Sequence, residues 1–311
     1  MMVAHHTGVQ TLSNAQWAER LQAAAQPVPF GRAPWIAVGL IDSPQLRFTP
    51  VQIDGPGDGP LLIPLCRNGD EAQIGAYGYG MVYPAAGRPA GQPLPFSALA
   101  AALGDTLGLR EIHTLLPPPL PGLPTWLDTW PSSPGRDTYL LDLSAGPDAV
   151  WAAAKGRMRT AVRRAQTWGL SVTVATIADA EAIDTLHAVT MARHDITRGE
   201  RAEQLRALLA QHDDAVLAVL ARSGRGVEAA SVFAVGGRLA YHVMQLTSDD
   251  GRRTNAGYLS FFSALGALTA RGVQLADLGA AGNDGQARFK TDWGATAHAT
   301  RRVAWRKGES A

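Results

Sequence analysis

The sequence predicts an α/β fold built on a mixed sheet, and three observations from its second half support this class. Helix-like and strand-like segments follow one another there in the order helix, strand, two helices, three strands, helix, strand, strand, an order typical of mixed α/β proteins. The helix-like segments carry apolar residues at helical spacing, and the strand-like segments are short apolar runs. Glycines stand where helices are expected to end. The length of 311 residues adds an expectation of two domains of about 150 residues each.

The first half of the chain is expected to be less regular, because residues 26–138 hold most of the prolines. The run LLPPPLPGLPTW at 115–126 excludes a regular helix or a central strand, since proline lacks an N–H donor and fixes φ. A helix is predicted at 96–107, and GAYGYGMVYP at 75–84 indicates a strand or a loop edge. Short apolar runs predict strands at 35–41, 61–66 and 139–143.

The second half has clearer element boundaries. Residues 147–168 predict one helix with Gly169 as its stop, and its apolar stripe consists of Trp151, Met158, Val162 and Ala165. Helices are also predicted at 179–194, 202–212 and 255–270. Asn255 is expected to cap the last of these, and Gly272 follows its end. Strands are predicted at 170–176, 215–222, 228–237, 238–247, 273–279 and 301–307.

Composition and motifs exclude several classes of protein. The chain is 46% apolar and 18% charged, and no apolar run reaches the length of about 18 residues that a membrane span needs. The first residues lack the charged and apolar regions of a secretory signal, and Cys66 is the single cysteine, so a cytoplasmic location is expected. His187 and His194 lack the carboxylate or thiol neighbours of a metal site. No P-loop or Gly-x-Ser-x-Gly elbow indicates kinase or hydrolase chemistry.

The charge is concentrated in one predicted helix. The net charge of +1 does not by itself predict a nucleic-acid partner. Residues 147–168, however, carry five basic side chains and one acidic side chain. Lys155, Arg159 and Arg163 are spaced i, i+4, i+8 and are expected on one face, with Arg157 and Arg164 on another. Such a stripe suits a polyanion such as a tRNA acceptor stem, and a solvated basic face is the alternative interpretation.

Four stretches, taken in order, resemble the Fem-type (FemAB-like) tandem-GNAT family of aminoacyl-tRNA-dependent peptidyltransferases and related N-acyltransferases. They are AVWAAAKGRMRTAVRRAQTWGLSVTV, LHAVTMAR, EAASVFAVGGRLAYHVMQ followed by TNAGYLSFFSAL, and DLGAAGNDGQARFKTDWG. The resemblance covers about 140–300 well and 30–85 weakly. It implies two GNAT-like halves, a degenerate one at 1–139 and a second at 140–311, with a substrate cleft between them. The final strand can return to the first half in that arrangement.

The resemblance also implies site residues. In the Fem family the lysine of the Phe-Lys pair lies at the reaction centre, and Lys290 matches it. Amide formation passes through a tetrahedral oxyanion that a positioned cation stabilises, so Lys290 is expected to supply that charge, and a surface lysine on a strand end is the alternative. Phe289 can shield the site from water, and Trp293 replaces the more usual Phe. The remaining substrate-binding candidates are Asp284 to orient an amine, Arg193 of the TM-x-R pattern, His242 as a base, and Tyr77 and Tyr79 on the acceptor side.

The acyl donor stays open at this point. Ordinary GNAT enzymes bind the coenzyme A pyrophosphate at a helix N-terminus. The matching loop here has Asn255 at its first glycine position, so half of the sequence pattern of that loop is present. The basic helix favours an aminoacyl-tRNA co-substrate, whose phosphates are expected to contact Lys155, Arg159, Arg163, Arg164 and Asn255. The sequence therefore predicts an amide-forming aminoacyltransferase, with tRNA and an amine-bearing peptide-like or small molecule as partners and no resident cofactor or metal. The alternatives are an acyl-CoA-dependent N-acyltransferase and a non-catalytic tandem-GNAT binding protein.

Overall fold

The computed structural model describes residues 8–24, 28–54, 59–84, 95–121, 123–195, 202–210 and 215–309. The chain divides into two compact units. Unit 1 comprises Met1–Gly135 and Ala299–Ala311, and unit 2 comprises Arg136–His298. Residues 211 and 212, the end of one predicted helix, lie outside the described residues. None of the helices in the described ranges combines the length and the apolar character that crossing a bilayer requires.

Most strands of the first 142 residues are short. The helices are α1 (Asn14–Gln22), α2 (Ala33–Asp42) and α3 (Phe96–Leu107). The strands are β1 (Val9–Thr11), β2 (Arg47–Phe48), β3 (Val51–Asp54), β4 (Pro60–Ile63), β5 (Leu65–Asn68), β6 (Glu71–Ile74), β7 (Tyr83–Pro84), β8 (Glu111–Leu116) and β9 (Ser133–Asp142).

The remaining elements lie between residues 147 and 306. The helices are α4 (Pro147–Ala153), α5 (Gly156–Thr167), α6 (Ala180–Ala192), α7 (Ala202–Leu209), α8 (Asp249–Arg253), α9 (Ala256–Ala270) and α10 (Asp284–Asp292). The strands are β10 (Ser171–Val174), β11 (Val216–Ser223), β12 (Gly226–Gly236), β13 (Leu239–Thr247), β14 (Leu275–Ala280) and β15 (Thr296–Arg306).

Unit 1 contains two sets of paired strands. One set has the order β1-β3-β4-β7 and is antiparallel throughout. In the other, β8 pairs antiparallel with residues 301–306 of β15 and parallel with β6, and β6 continues through β5 to β2.

Unit 2 is a mixed sheet covered by helices on both faces. Strands β10 to β13 are successively antiparallel, β13 and β14 are parallel, and β14 pairs antiparallel with β9. Because side chains alternate along a strand, neighbouring residues of β11 enter different cores. Val219 packs in the core that includes α5 and α9, whereas Leu220 packs in the core that includes α6 and α7. The mixed α/β class predicted from the sequence is confirmed.

Three element predictions are wrong, each for a physical reason. Residues 35–41 form helix α2 instead of a strand, because a short apolar run fits either element and Pro34 occupies the first turn, where proline favours a helix. The strand predicted at 61–66 is interrupted at Pro64, which separates β4 from β5. The helix predicted at 147–168 is two helices, because Ala154 and Lys155 have extended backbone and Lys155 is the N-cap of α5.

Other predictions are confirmed closely. Helix α3 has the predicted bounds. Gly169 and Gly272 have φ of 69° and 81° just beyond their helices, a conformation that favours glycine at helix ends. Asn255 is the N-cap residue of α9, but it has φ 59° and its side chain makes no capping hydrogen bond.

Candidate active site

The candidate site lies in unit 2, where two parallel strands stop pairing. Strands β13 and β14 pair from Leu239–Leu275 to Tyr241–Asp277, and within the described chain the pairing ends there although both strands continue. The pairing of β14 with β9 also shifts by one residue between Asp277 and Ala280. Such a bulge bends a strand and turns its peptide groups out of the ladder. The end of β14 therefore presents backbone groups that the sheet does not use.

A buried carboxylate organises this strand end. Oδ1 of Asp277 accepts a hydrogen bond from the Gly279 N–H at 2.7 Å and another from the Thr138 hydroxyl. Gly279 has φ 74°, which a side chain disfavours. The turn points the carbonyl groups of Gly279 and Ala280 at one ammonium group, because Nζ of Lys290 donates to both oxygens at 2.7 Å.

Helix α10 carries the lysine to this position. Asn283 caps the helix by accepting from the Gln286 N–H at 2.9 Å, and the Gln286 side chain accepts from the Gly282 N–H at 2.7 Å. An Asn followed by Gln three residues later is a helix-start signal that the sequence analysis missed. Lys290 is 8% exposed and lies in a helix, so the alternative of a surface lysine on a strand end is wrong.

The electrostatics of Lys290 reflect burial. Burial lowers the pKa of Lys290 to about 8, although the Asp277 carboxylate opposes the shift. Nζ also lies 5.4 Å from the centre of the Tyr139 ring, a distance at which a ring face attracts a cation. Of the three N–H donors of an ammonium group, two are held by carbonyl oxygens. The third has no hydrogen-bond partner among the described residues.

His242 lies on β13 at the same point. Burial and, to a smaller extent, the positive charge of Lys290 lower its pKa to about 3, so the ring is neutral near pH 7. Its Nε2 is enclosed and has no hydrogen-bond partner in the described structure. The ring packs against Phe233 and Phe261, with centroids 4.7 and 5.2 Å apart. A group with so low a pKa takes up little proton at neutral pH, which weighs against the predicted role as a general base.

Phe289 and Trp293 form one side of an aromatic cluster. The Phe289 ring lies 5.2 Å from Phe261 and 5.6 Å from Tyr258. Trp293 is fully buried and stacks on Phe262 at 5.9 Å. Trp293 is therefore a core residue, whereas Phe289 is partly exposed and separates that core from open space.

A cavity of about 620 Å³ borders Phe289. It lies between α5, the first turn of α9 and α10, and three arginines line it: Arg157, Arg164 and Arg288. Arg157 is paired with Asp292. In the described part of the chain, neither Arg164 nor Arg288 has an ion-pair partner.

The N-terminus of α9 opens into the same cavity through Asn255 and Tyr258. A helix N-terminus has free N–H groups and a partial positive charge. With the arginines, it makes the cavity suited to phosphate groups. Arg157, Arg288 and Tyr258 were not among the predicted site residues. Recognition of α10 as a helix would have placed Gly285, Arg288 and Phe289 on one face, at positions i, i+3 and i+4, and all three line the cavity.

The side chains of Arg159 and Arg163, two other residues of the predicted stripe, have partners on or next to α4, whereas the Lys155 side chain is exposed. Lys155 donates its backbone N–H to the Asp292 carbonyl at 2.7 Å. The Arg159 guanidinium binds carbonyl oxygens at the end of α4, including that of Trp151 at 3.2 Å. Arg163 lies over the Trp151 ring at 5.4 Å. None of these three residues lines the cavity, which instead includes Arg157 and Arg164, the two arginines predicted on the other face.

The remaining candidates lie elsewhere. The Arg193 guanidinium donates to the Thr247 carbonyl and lies 3.5 Å from Asp249, so it secures the end of β13. Asp284 is the exposed first residue of α10. Tyr77 and Tyr79 belong to unit 1, where Tyr77 stacks on Trp35 at 5.5 Å and Tyr79 is buried. Among the described residues no group of three or more His, Cys, Asp or Glu is placed to hold a metal ion.

Comparisons with known proteins agree with this architecture. Residues 152–291 match the family described as an acetyltransferase (GNAT) domain. No curated protein is significantly similar to the sequence. A crystal structure of FemX aligns with a TM-score of 0.62 at 10% identity, covering 96% of this chain and 97% of that one.

Two further structures share the fold. The C-terminal domain of a putative lysylphosphatidylglycerol synthetase from Agrobacterium fabrum aligns with a TM-score of 0.59 at 16% identity, over 93% of this chain and 92% of that chain. A tandem GNAT protein from the clavulanic acid biosynthesis pathway aligns with a TM-score of 0.50 at 13% identity, over 98% and 100%. The predicted resemblance is confirmed at the level of the fold. Residues 152–291 match the acetyltransferase (GNAT) domain, and the chain shares its fold with FemX and with the tandem GNAT protein.

Proposed function

We propose that this protein forms an amide bond by transferring an aminoacyl group from aminoacyl-tRNA to the amine of a peptide-like or small-molecule acceptor. The observation that carries the proposal is the placement of Lys290. Its ammonium group is buried at the point where β13 and β14 part, and one N–H is left without a partner in the described structure. Its neighbour Phe289 lines the arginine-bearing cavity.

The reaction assigns a role to that N–H. The acceptor nitrogen attacks the ester carbonyl carbon, forming the C–N bond while the carbonyl electron pair moves to oxygen. Collapse of this intermediate breaks the bond to the ribose oxygen. The nitrogen loses one proton and the ribose oxygen gains one, so the reaction is balanced without a further reactant. Lys290 donates to the oxyanion, an interaction of the kind whose loss costs about 3–4 kcal/mol.

Proton transfer needs no dedicated side-chain base in this scheme. The pKa of His242 is lowered to about 3, which makes it a poor acceptor near pH 7. A bound water or the ribose hydroxyls can pass the proton from nitrogen to the leaving oxygen. This assigns Lys290 an electrostatic role, in which it remains charged throughout.

Two observations support a phosphate-rich donor. Arg164 and Arg288 line the cavity without ion-pair partners among the described residues, and guanidinium groups bind phosphate well. Asn255 stands in a left-handed conformation at the start of α9, where its side chain limits close approach of a pyrophosphate to the backbone. The arginines suit the phosphates of either donor, and the Asn255 side chain favours a nucleic-acid end over coenzyme A.

A second candidate donor is acyl-CoA. The free N–H groups at the start of the 15-residue helix α9 border the cavity, and a helix N-terminus binds pyrophosphate without further groups. The same lysine would then stabilise the oxyanion of a thioester, with a thiolate as leaving group.

The test is transfer of labelled amino acids from charged tRNA by the purified full-length protein, with a panel of amine acceptors. RNase treatment should abolish transfer, and Lys290→Ala should lower kcat by about 100- to 1000-fold. Lys307→Ala is the matched control, since Lys307 is an exposed lysine of unit 1 paired with Asp105. It should retain wild-type activity.

The outcomes separate the candidates. Transfer that survives RNase and requires acyl-CoA assigns the coenzyme as donor. A folded Lys290→Ala protein that keeps full transfer refutes the role of the ammonium group. Binding of aminoacyl-tRNA without transfer to any amine would indicate a non-catalytic binding protein.

A further inference from the structure

Asp277 lies close enough to Lys290 for its charge to act on the ammonium, and it takes no part in the reaction steps above. It is 3% exposed, and an isolated carboxylate is costly to bury. Its Oδ1 receives two hydrogen bonds, from the Gly279 N–H and the Thr138 hydroxyl. Thr138 is itself fully buried on β9. The carboxylate is therefore held on two sides, by its own strand and by the neighbouring one.

The bonds to Asp277 set the direction of two carbonyl groups. The hydrogen bond to Gly279 closes a tight turn two residues on, which Asp side chains favour. This turn lies at the register shift between β14 and β9. Both carbonyl oxygens that receive the Lys290 ammonium, those of Gly279 and Ala280, belong to it.

The charge of Asp277 acts on the same lysine. The groups that face Nζ come from three strands: Asp277 on β14, His242 on β13 and the Tyr139 ring on β9. His242 is neutral near pH 7 because its pKa is lowered to about 3. Asp277 is thus the group that supplies negative charge. Asp292, on the helix of Lys290, is paired with Arg157 instead.

We propose that Asp277 is the positioning residue for Lys290: its carboxylate fixes the two carbonyl groups that hold the ammonium and balances the buried positive charge. The inference rests on the proposed function for its catalytic consequence, but the placement and protonation of Lys290 are measurable without any substrate. Asp277 touches neither the acyl group nor the acceptor, and it acts through the lysine.

The composition of the chain makes a direct test possible. The sequence holds three lysines, Lys155, Lys290 and Lys307. Protein labelled with carbon-13 at the lysine ε position should give three side-chain signals, and the variant Lys290→Arg identifies the one that belongs to Lys290. The other two lysines provide references in the same sample.

Asp277→Asn separates charge from geometry. The Asn side chain keeps an oxygen that accepts from Gly279 and Thr138, so the turn is retained while the charge is lost. The pKa of Lys290 should fall by about one pH unit or more, as expected when a nearby opposite charge is removed. Asp292→Asn, which removes a buried carboxylate facing Arg157, should leave the Lys290 titration unchanged.

The Asp277→Asn variant should also change the pH dependence of kcat. If the charged lysine is required, the pH at which kcat declines should move to lower values in Asp277→Asn by the same amount as the NMR titration. A purely structural role of Asp277 would lower activity without moving this pH limb. Thr138→Val keeps volume and charge but removes one hydrogen bond to the carboxylate, and it should lower kcat with little change in KM for the donor.

The results distinguish this inference from the proposed function. An unchanged Lys290 titration in Asp277→Asn overturns the inference, whatever the activity. If Asp277→Asn does not fold, an unchanged kcat in Thr138→Val overturns it. A shifted titration together with full activity of Lys290→Ala would refute the proposed function and leave the positioning of Lys290 by Asp277 intact.

Discussion

The cavity arginines give a quantitative prediction about donor binding. Arg164 and Arg288 line the cavity and have no ion-pair partner in the described residues, whereas Arg157 is neutralised by Asp292. We therefore count two cationic side chains available for phosphates. Arg164→Gln and Arg288→Gln each remove one of them while keeping a polar side chain of similar length.

The magnitude follows from counterion release. Each neutralised phosphate of a single-stranded end contributes a slope of about −0.7 to the logarithm of affinity against the logarithm of salt. Two contacts give about −1.4, or a loss of about sevenfold in affinity between about 50 and 200 mM salt. Each Gln variant should reduce the measured slope by about 0.7, even if further tRNA contacts make the total steeper.

The assay is binding of a non-hydrolysable 3′-aminoacylated RNA, measured over a salt series by fluorescence polarisation. Arg206→Gln is the matched control, because Arg206 is a partly exposed arginine on α7 paired with Glu181 and is not among the cavity residues. Both cavity variants should bind more weakly and with a shallower slope than the control. Slopes and affinities equal to those of the wild type in both cavity variants would refute the assignment of phosphates to this cavity.

Three further predictions concern the site and the fold. Burial lowers the pKa of Lys290 to about 8, so the ammonium is present below this pH and is lost as pH rises through it. We therefore expect kcat to decline above pH 8, and Lys290→Arg should remove this decline. A Cβ on Gly39 would lie 2.8 Å from that of Ala76 and closer still to its carbonyl group, whereas one on Gly266 would meet open space. In urea denaturation, Gly39→Ala should therefore lose about 1–3 kcal/mol of stability, and Gly266→Ala should gain up to about 1 kcal/mol. Asn255→Gly should keep the fold, since glycine accepts φ 59°, and should strengthen coenzyme A binding measured by calorimetry; unchanged binding would contradict the role given to the Asn side chain.

Sequence patterns could predict the fold because each signal was local. Helix α3 was found from its own periodicity, and the ends of α5 and α9 from the glycines that follow them. The break after Ala154 could not be found in this way. It depends on a hydrogen bond from the Lys155 N–H to the carbonyl of Asp292, a residue far along the chain. The predicted basic stripe begins at Lys155, after this break, and it was a poor guide to the cavity, which includes Arg157 and Arg164 from the other predicted face.

The residues of the candidate site also divide into those that local sequence signals predict and those that only long-range contacts reveal. Lys290 was predicted from its Phe-Lys pair, but its partners lie on other strands and have no fixed spacing from it in the sequence. Thr138 is 139 residues from Asp277, with which it shares a hydrogen bond. Arg288 was missed because helix α10 was missed, although Asn283 and Gln286 together form a recognisable helix start. Pairing between distant strands can be read from the structure and not from local periodicity.

The lowered pKa of Lys290 indicates that the residue serves a function and not the stability of the fold. A lysine kept for stability would have its charge favoured by its surroundings, and its pKa would be raised. Here burial outweighs the Asp277 carboxylate and lowers the pKa to about 8, although two carbonyl oxygens and an aromatic face also favour the cation. An apolar residue at this position would avoid that cost. Titratable groups held in such an unfavourable state are concentrated at active sites. The bulge, the left-handed Gly279 and the buried Asp277 all serve to retain one charged nitrogen where two strands separate, and that nitrogen is the group the proposed chemistry requires.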